Sequence, residues 1–259
     1  MNILFVGDVF GRPGRTVLLR RLPSLVAERK IDFVIANGEN AASGAGITSS
    51  IARSLLDGGV DVITLGNHVW RQREVLPFLT SCERMVRPAN YPPGSPGRGL
   101  SVQTTRGGEP VAVINLNGAL FMDAGVSPFR IVDELVATAR ARAEYVVVDM
   151  HAEATSEKVA MGRYLDGRVT LVVGTHTHVQ TADECVLPGG TAYITDVGMT
   201  GPRDSVIGVS TDIILRRFLT EMPQQFVVAE GVVRMDYVVV SAEGGRALEI
   251  SRGSELLEP

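Results

Sequence analysis

Val169-Thr170-Leu171-Val172-Val173-Gly174-Thr175-His176-Thr177-His178 runs from apolar residues through a glycine into two histidines. The same order recurs upstream. Tyr145-Val146-Val147-Val148-Asp149-Met150-His151 closes on a histidine, and Val62-Ile63-Thr64-Leu65-Gly66-Asn67-His68 on an asparagine and a histidine. Ile3-Leu4-Phe5-Val6-Gly7-Asp8 and Phe33-Val34-Ile35-Ala36-Asn37-Gly38-Glu39-Asn40 close on acids and amides. Short apolar runs bounded by glycine and polar residues read as buried strands. In open α/β sheets, ligands bind just outside the carboxyl ends of strands. Five strand ends therefore bring Asp, Glu, Asn and His to one edge, including all four histidines of the chain. That is the layout of a metal site assembled from scattered sequence.

Helical spacing fills the gaps between these runs. Leu18, Leu19, Leu22, Leu25 and Val26 predict a helix over Thr16 to Arg29, with Pro23 a point of kinking or division. Thr48 or Ser49 caps a second helix, which Gly58-Gly59 ends. A short helix follows near Arg71 to Leu79, and the proline-rich stretch from Pro88 to Gly99 reads as a loop. Strands follow over Leu100 to Thr104 and Val111 to Asn115, then a helix opened by Ser127-Pro128. Another helix near Ser156 to Leu165 separates the last two histidine runs. Beyond Gly189-Gly190 the expectation is a hairpin-like region. Its strands are Ala192 to Ile194, Gln225 to Glu230, Val232 to Ser241 and Arg246 to Ile250, with one helix over Thr211 to Leu219. The tail from Gly253 is expected to be mobile. Strand–helix alternation predicts an α/β fold. Because metal-type residues extend from Asp8 to His178, residues 1–259 are expected to form a single domain with two sheets.

Bulk properties narrow the function. With 259 residues, 45% of them hydrophobic, the chain can bury a sizeable core. A formal net charge of −4 gives no basic footprint for long nucleic acids, although a single nucleotide remains compatible. Cys82 and Cys185 stand far apart in no ligand spacing, which suits reduced thiols in a cytosolic protein better than a disulfide. The first residues lack a signal-peptide pattern, and no apolar stretch approaches the roughly 20 residues a membrane helix needs. A soluble, cytoplasmic protein is expected, with no membrane partner.

Taken singly, most of these residues have ordinary explanations. Asp8 can cap a helix, Asn40 and Asn67 suit turns, and His151 alone reads as a satisfied polar residue. His176 and His178, at i and i+2 of an extended strand, are expected to face one side. Glu39 differs, because an unpaired carboxylate at the end of a buried strand is costly and a cation is its natural partner. The Ala41-Ala42-Ser43-Gly44-Ala45-Gly46 segment reads equally as a phosphate-approaching loop or an ordinary one. Arg12 reads as solvated, and Trp70 and Tyr91 as packing residues.

In order, Gly7-Asp8, Gly38-Glu39-Asn40, Gly66-Asn67-His68, Asp149-Met150-His151 and Gly174-Thr175-His176-Thr177-His178 resemble the signatures of calcineurin-like metallophosphoesterases. The longer strings Gly7 to Gly14, Asn37 to Asn40 and Gly174 to Asp183 look like the YmdB-type bacterial branch of 2′,3′-cyclic-nucleotide phosphodiesterases. Three departures from the wider superfamily stand out. Phe10 replaces a histidine, Glu39 replaces the bridging aspartate, and Val69 replaces the acid that follows Asn-His. The resemblance implies a four-layer α/β/β/α sandwich of two mixed sheets with a dinuclear site at the rim between them. It implies that Asp8, Glu39, Asn40 and His178 hold one cation and Glu39, Asn67, His151 and His176 the other. Fe or Mn is the expected metal, with Zn as a further option. Two divalent cations against two carboxylates leave a +2 balance for a hydroxide and an anionic phosphodiester. His68, which the family does not use as a ligand, is implied to protonate the leaving alkoxide or stabilise the transition state; its alternative is a supporting or surface histidine. The expected substrate is a small phosphodiester such as a 2′,3′-cyclic nucleotide, attacked by a hydroxide bridging the two metals. A homo-oligomer is compatible with the sequence. The competing class is a metal-binding regulatory or RNA-associated protein with incidental hydrolysis.

Overall fold

The computed structural model describes residues 1–122 and 125–258. Along the first half the strands are β1 (Asn2–Val6), β2 (Asp8–Val9), β3 (Phe33–Asn37), β4 (Val62–Thr64), β5 (Met85–Val86), β6 (Leu100–Thr104) and β7 (Pro110–Asn117). The second half adds β8 (Tyr145–His151), β9 (Leu171–Thr175), β10 (Cys185–Val186), β11 (Ala192–Ile194), β12 (Met199–Pro202), β13 (Val233–Glu243) and β14 (Arg246–Leu257). Among the described residues six α-helices intervene: α1 (Gly11–Arg29), α2 (Ser49–Asp57), α3 (Leu76–Ser81), α4 (Val132–Arg140), α5 (Thr155–Tyr164) and α6 (Thr211–Thr220).

The strands make two mixed sheets. One has eight strands in the order β2-β12-β13-β1-β3-β4-β5, with β14 paired to β13; the other has six, ordered β10-β11-β9-β8-β7-β6. Within the first, β1, β3, β4 and β5 run parallel, while β13 lies antiparallel to β1. Within the second, β7, β8, β9 and β11 run parallel.

Both faces of each sheet are covered, so the central strands are apolar throughout rather than alternating with polar residues. Strand β1 divides its side chains by the period of two. Ile3 and Phe5 join Phe33, Ile35, Val113, Val147 and Val173 in the core between the sheets. Leu4 and Val6 instead meet Leu18, Leu22 and Leu25 of α1 and Leu55 of α2. The second sheet does likewise. Val111 and Val113 face the first sheet, and Ala112 and Ile114 pack with Val136 and Ala139 of α4 and Met161 of α5. Three cores separate four layers, helices on sheet on sheet on helices, which is the expected sandwich.

Several elements depart from the sequence expectation. Helix α1 starts at Gly11 and continues unbroken through Pro23. Gln225 to Glu230 forms no strand; only Val228 bridges, to Val209. The tail beyond Gly253 is paired rather than mobile, since β14 follows β13 as far as Val233 opposite Leu257. Glu255 there receives an ion pair from Arg21 at 2.7 Å and a hydrogen bond from Tyr237 at 2.9 Å. Its alternating exposed and half-buried residues resemble a polar tail and conceal an edge strand. Most consequential, β9 ends at Thr175, so His176 and His178 lie beyond the strand. Among the described residues no helix is long and apolar enough to cross a membrane.

The inter-sheet core gives a stability prediction. Phe5 is fully buried, and Phe5→Ala should destabilise the protein by about 3–5 kcal/mol, read from denaturant unfolding. A loss under about 1 kcal/mol would mean that the two sheets do not depend on this contact.

Candidate metal centre

Parallel register aligns the ends of the strands. Asn117, His151 and Thr175 stand side by side across β7, β8 and β9. In the other sheet, Asn37 lies opposite Thr64, so Glu39 and Asn67 leave β3 and β4 at the same level. The rim thus gathers Asp8, Glu39, Asn40, Asn67 and His68 from one sheet and His151, His176 and His178 from the other. All eight residues singled out in the sequence meet there.

The histidine loop reaches the site by a different route from the one expected. His176 has φ 97° and His178 φ 64°, both left-handed, so the pair does not sit on one face of a strand. Hydrogen bonds impose this turn. Asp8 Oδ2 accepts from the His176 backbone N–H at 3.2 Å. Asp196 Oδ2 accepts from the backbone N–H of Thr177 at 3.2 Å and from its hydroxyl at 2.6 Å. The fully buried Asp196 is charge-paired with Lys158 Nζ at 2.7 Å. Breaking such a pair would strand a buried charge, so Thr177 is held from below and its two neighbours project into the site. Nothing in the sequence pattern distinguished Lys158 or Asp196, which are far from each other and from Thr177 in the chain.

Each of these three imidazoles has one nitrogen tied off and the other turned inward. His151 Nδ1 donates to Thr175 Oγ1 at 2.8 Å, because that hydroxyl gives its own proton to Asp149 Oδ1 at 2.7 Å. Asn37 Nδ2 donates to Asp149 Oδ2 at 3.1 Å and completes the relay. His178 Nδ1 donates to the Ile207 carbonyl at 3.1 Å. His176 Nε2 faces Glu153 Oε2 at 3.2 Å. What remains facing inward is a set of lone pairs. His151 Nε2 lies 3.0 Å from Glu39 Oε1, 3.1 Å from Asn67 Oδ1 and 3.1 Å from His176 Nδ1. One potential ligand atom from each of Glu39, His151 and His176 falls within 4.8 Å of the others. Acceptors gathered this closely require a positive charge among them, supplied by a bound cation or, without one, by a proton on His151.

A second group adjoins the first through Glu39. Asn40 Nδ2 stands 3.0 Å from His178 Nε2 and 3.4 Å from both Asp8 Oδ1 and Glu39 Oε1. His178 Nε2 is 3.6 Å from Asp8 Oδ1. The amide N–H₂ occupies the middle of this group as a hydrogen-bond donor, and its Oδ1 faces His68 Nδ1 at 2.8 Å. His68 is further fixed by its backbone N–H, which donates to Glu39 Oε2 at 3.0 Å.

Charge follows the same pattern. Burial alone raises Glu39, but His151 and His68 outweigh it and hold the carboxyl at about 2. Burial likewise opposes the net lowering of Asp8, which His178 and His151 impose. Burial lowers His151, yet Glu39 and Asp8 push it up to about 9. Burial and the neighbouring His151 bring His176 down to about 4. Burial also sets the direction for His68, below its ordinary value, with Glu39 opposing. Buried Asp149 is raised to about 6, principally by burial. Without a cation, the cluster favours positive charge on His151 and, beside Asp8, on His178.

The approach is close enough to require a glycine. A Cβ on Gly66 would collide with Glu39 Oε2 and the His151 ring. Gly66→Ala should therefore disrupt the rim while leaving the distant cores intact. Expected are near-wild-type far-UV circular dichroism and at least a tenfold loss of metal affinity, since even neighbours of ligands typically give 10–100-fold effects. Full metal binding by this variant would show that Glu39 and His151 need not converge.

Known proteins share both the chain and this arrangement of strands. The family described as YmdB-like protein matches residues 4–252. The 2′,3′-cyclic-nucleotide 2′-phosphodiesterase of Bacillus subtilis (strain 168) is 49% identical over 254 residues, covering 97% of this chain and 96% of that protein. A hypothetical protein from Thermus thermophilus superposes with a TM-score of 0.94 at 46% identity, covering 100% of both chains. A novel phosphatase from Mycoplasma pneumoniae superposes with a TM-score of 0.92 at 33% identity, covering 100% of this chain and 94% of that one. With a match that spans every rim residue from Asp8 to His178, this chain belongs to the YmdB-like family.

Proposed function

We propose that the protein is a dinuclear-metal phosphodiesterase acting on small phosphodiesters, with 2′,3′-cyclic nucleotides as the natural class. One observation carries this reading: three imidazoles, each anchored through its outer nitrogen, turn their inner nitrogens toward two buried carboxylates and an amide oxygen. Outer partners of this kind orient metal-ligating histidines. The donor set of imidazole, carboxylate and amide suits Fe, Mn or Zn better than Ca. Asp8, Glu39 and His178 would hold one ion, with Asn40 joining them only if its amide turns Oδ1 inward from His68, and Glu39, Asn67, His151 and His176 would hold the other. Glu39 belongs to both groups, with Oε1 facing Asn40 on one side and His151 on the other. Because both sheets contribute, residues 1–259 act in this reading as one domain. The activity named for the Bacillus relative supports the substrate class.

Bound divalent cations would supply Lewis-acid neutralisation of phosphoryl oxygens and a water of lowered pKa. The chain's own residues supply the rest. His68 is oriented through Nδ1 and its backbone N–H, which leaves Nε2 for substrate. It lines a cavity of about 330 Å³ together with Glu39, Asn40, His176 and His178. In hydrolysis, the oxygen of water joins phosphorus, the bond from phosphorus to the 2′ oxygen breaks, and protonated His68 gives that oxygen a proton from Nε2, which the proton released by the water replaces. The product is a 3′-monophosphate.

Two measurements test this assignment. His68→Ala should keep its metals and lose roughly 10²–10⁴-fold in rate on alkoxide-leaving diesters. On a nitrophenyl diester, whose leaving group departs as a stable anion, the loss should be much smaller. Equal losses on both would assign His68 to charge stabilisation, and loss of metal would make it a ligand. The second measurement reads protons. A metal-free His151 raised to about 9 is protonated at pH 8, so metal loading must expel that proton. Calorimetric titration in two buffers of different ionisation heat should register about one proton released from this group, with affinity weakening about tenfold per pH unit below 9. Proton-neutral loading at pH 8 would remove His151 from the ligand set.

A further inference from the structure

Beside His178, the same cavity has a chemically different lining. Phe10, Ile207, Val209 and Phe226 line it. Phe10 and Val209 are buried, whereas Ile207 is 50% exposed and Phe226 46% exposed. Single exposed apolar residues are ordinary, but two large ones lining a cavity beside a cluster of histidines and carboxylates mark a place where apolar surface is to be covered.

The wall is built with strain. Ile207 is β-branched and has φ 46°, a conformation rare for such residues. Its surroundings enforce it. Val206 and Val209 exchange backbone hydrogen bonds across it at 2.9 and 3.1 Å, and the Ser205 hydroxyl accepts from the Gly208 N–H at 2.9 Å. The Ile207 carbonyl accepts from His178 Nδ1, so the residue that orients an inner histidine also presents the apolar side chain. Strain of this sort persists where the structure over-determines it and gathers at ligand clamps. Phe226 is braced in turn by the Arg217 guanidinium, 5.0 Å from its ring centroid.

We propose that this wall seats the nucleobase of the substrate by apolar contact and stacking on Phe226, without reading its hydrogen-bonding edge. The inference rests on the phosphodiesterase reading above and adds the subsite that holds the base. A nucleotide is anionic at one end and presents a flat π-face at the other, which matches a cavity polar on one side and apolar on the other. Small-ligand pockets begin at about 300 Å³, so a cavity of about 330 Å³ is large enough to seat one nucleotide. None of the four wall side chains carries a donor or acceptor. Adenine, guanine, cytosine and uracil should therefore be accepted with kcat/KM values within about tenfold of one another, purines ahead through their larger stacking area.

The decisive comparison is between 2′,3′-cyclic AMP and glycerol 1,2-cyclic phosphate, which keeps the five-membered cyclic diester and lacks a base. The wild type should prefer the nucleotide in kcat/KM. Phe226→Ala should lower that preference about tenfold, principally through KM, because stacking acts on bound substrate and transition state alike. Phe226→Tyr should restore it. Equal kcat/KM on both compounds, or a preference unchanged in Phe226→Ala, would overturn the base subsite while leaving the phosphodiesterase reading intact. If neither compound turns over, that reading fails and calorimetry on the metal-loaded protein decides the subsite. Tighter binding of adenosine 3′-monophosphate than of glycerol 3-phosphate, lost in Phe226→Ala, supports it; equal affinities overturn it. A dimer that dissociates in Phe226→Ala with the substrate preference unaltered would assign the face to a second copy of the chain and overturn it too.

Discussion

The demand of one cluster of acceptors for positive charge is the constraint on which this molecule turns. Glu39 Oε1, Asn67 Oδ1 and His176 Nδ1 each lie 3.0–3.1 Å from His151 Nε2. Such a cluster does not persist in a low-dielectric interior unless something positive neutralises it and something rigid holds it. The rigidity is visible in the relay from His151 through Thr175 to Asp149 and Asn37, and in the Lys158–Asp196 pair beneath Thr177. Both networks lie below the rim, inside the sandwich, where water cannot compete for their hydrogen bonds.

The sandwich also explains why the site is where it is. Parallel pairing of β1, β3 and β4 in one sheet and of β7, β8 and β9 in the other sends their carboxyl ends to the rim. The core between the sheets then sets the distance across which the two groups of side chains meet. Residues separated by more than a hundred positions, such as Asn37 and Asp149, become hydrogen-bonded neighbours. The cavity inherits its two-sided character from the same arrangement, with polar strand ends on one side and the loop after β12 on the other.

Much of this was legible from the chain alone, for identifiable reasons. Strands buried on both faces are written as unbroken apolar runs, so β1, β3, β8 and β9 stood out along with the polar residues at their ends. Resemblance supplied the division of ligands between two ions. What escaped was long-range or conformational. The left-handed φ of His176 and His178 depends on Asp8 and Asp196, which no local pattern couples to them. Ile207 lies in an irregular loop and Phe226 in a stretch that reads as a strand but forms only a single bridge, so their placement comes from that bridge and from the bond of Ile207 to His178. Strand β14 was missed beyond Ile250 because a half-exposed edge strand carries charges that read as a solvated tail.

The site draws on both sheets, with Asp8, Glu39, Asn40 and Asn67 on one side of the seam and His151, His176 and His178 on the other. An ion held from both sides is a cross-link as well as a reagent. If it binds the folded chain and finds no such pocket in the unfolded one, its binding energy would add to folding stability in proportion to the logarithm of its free concentration. Heat resistance in this protein would then depend on the supply of metal in its surroundings.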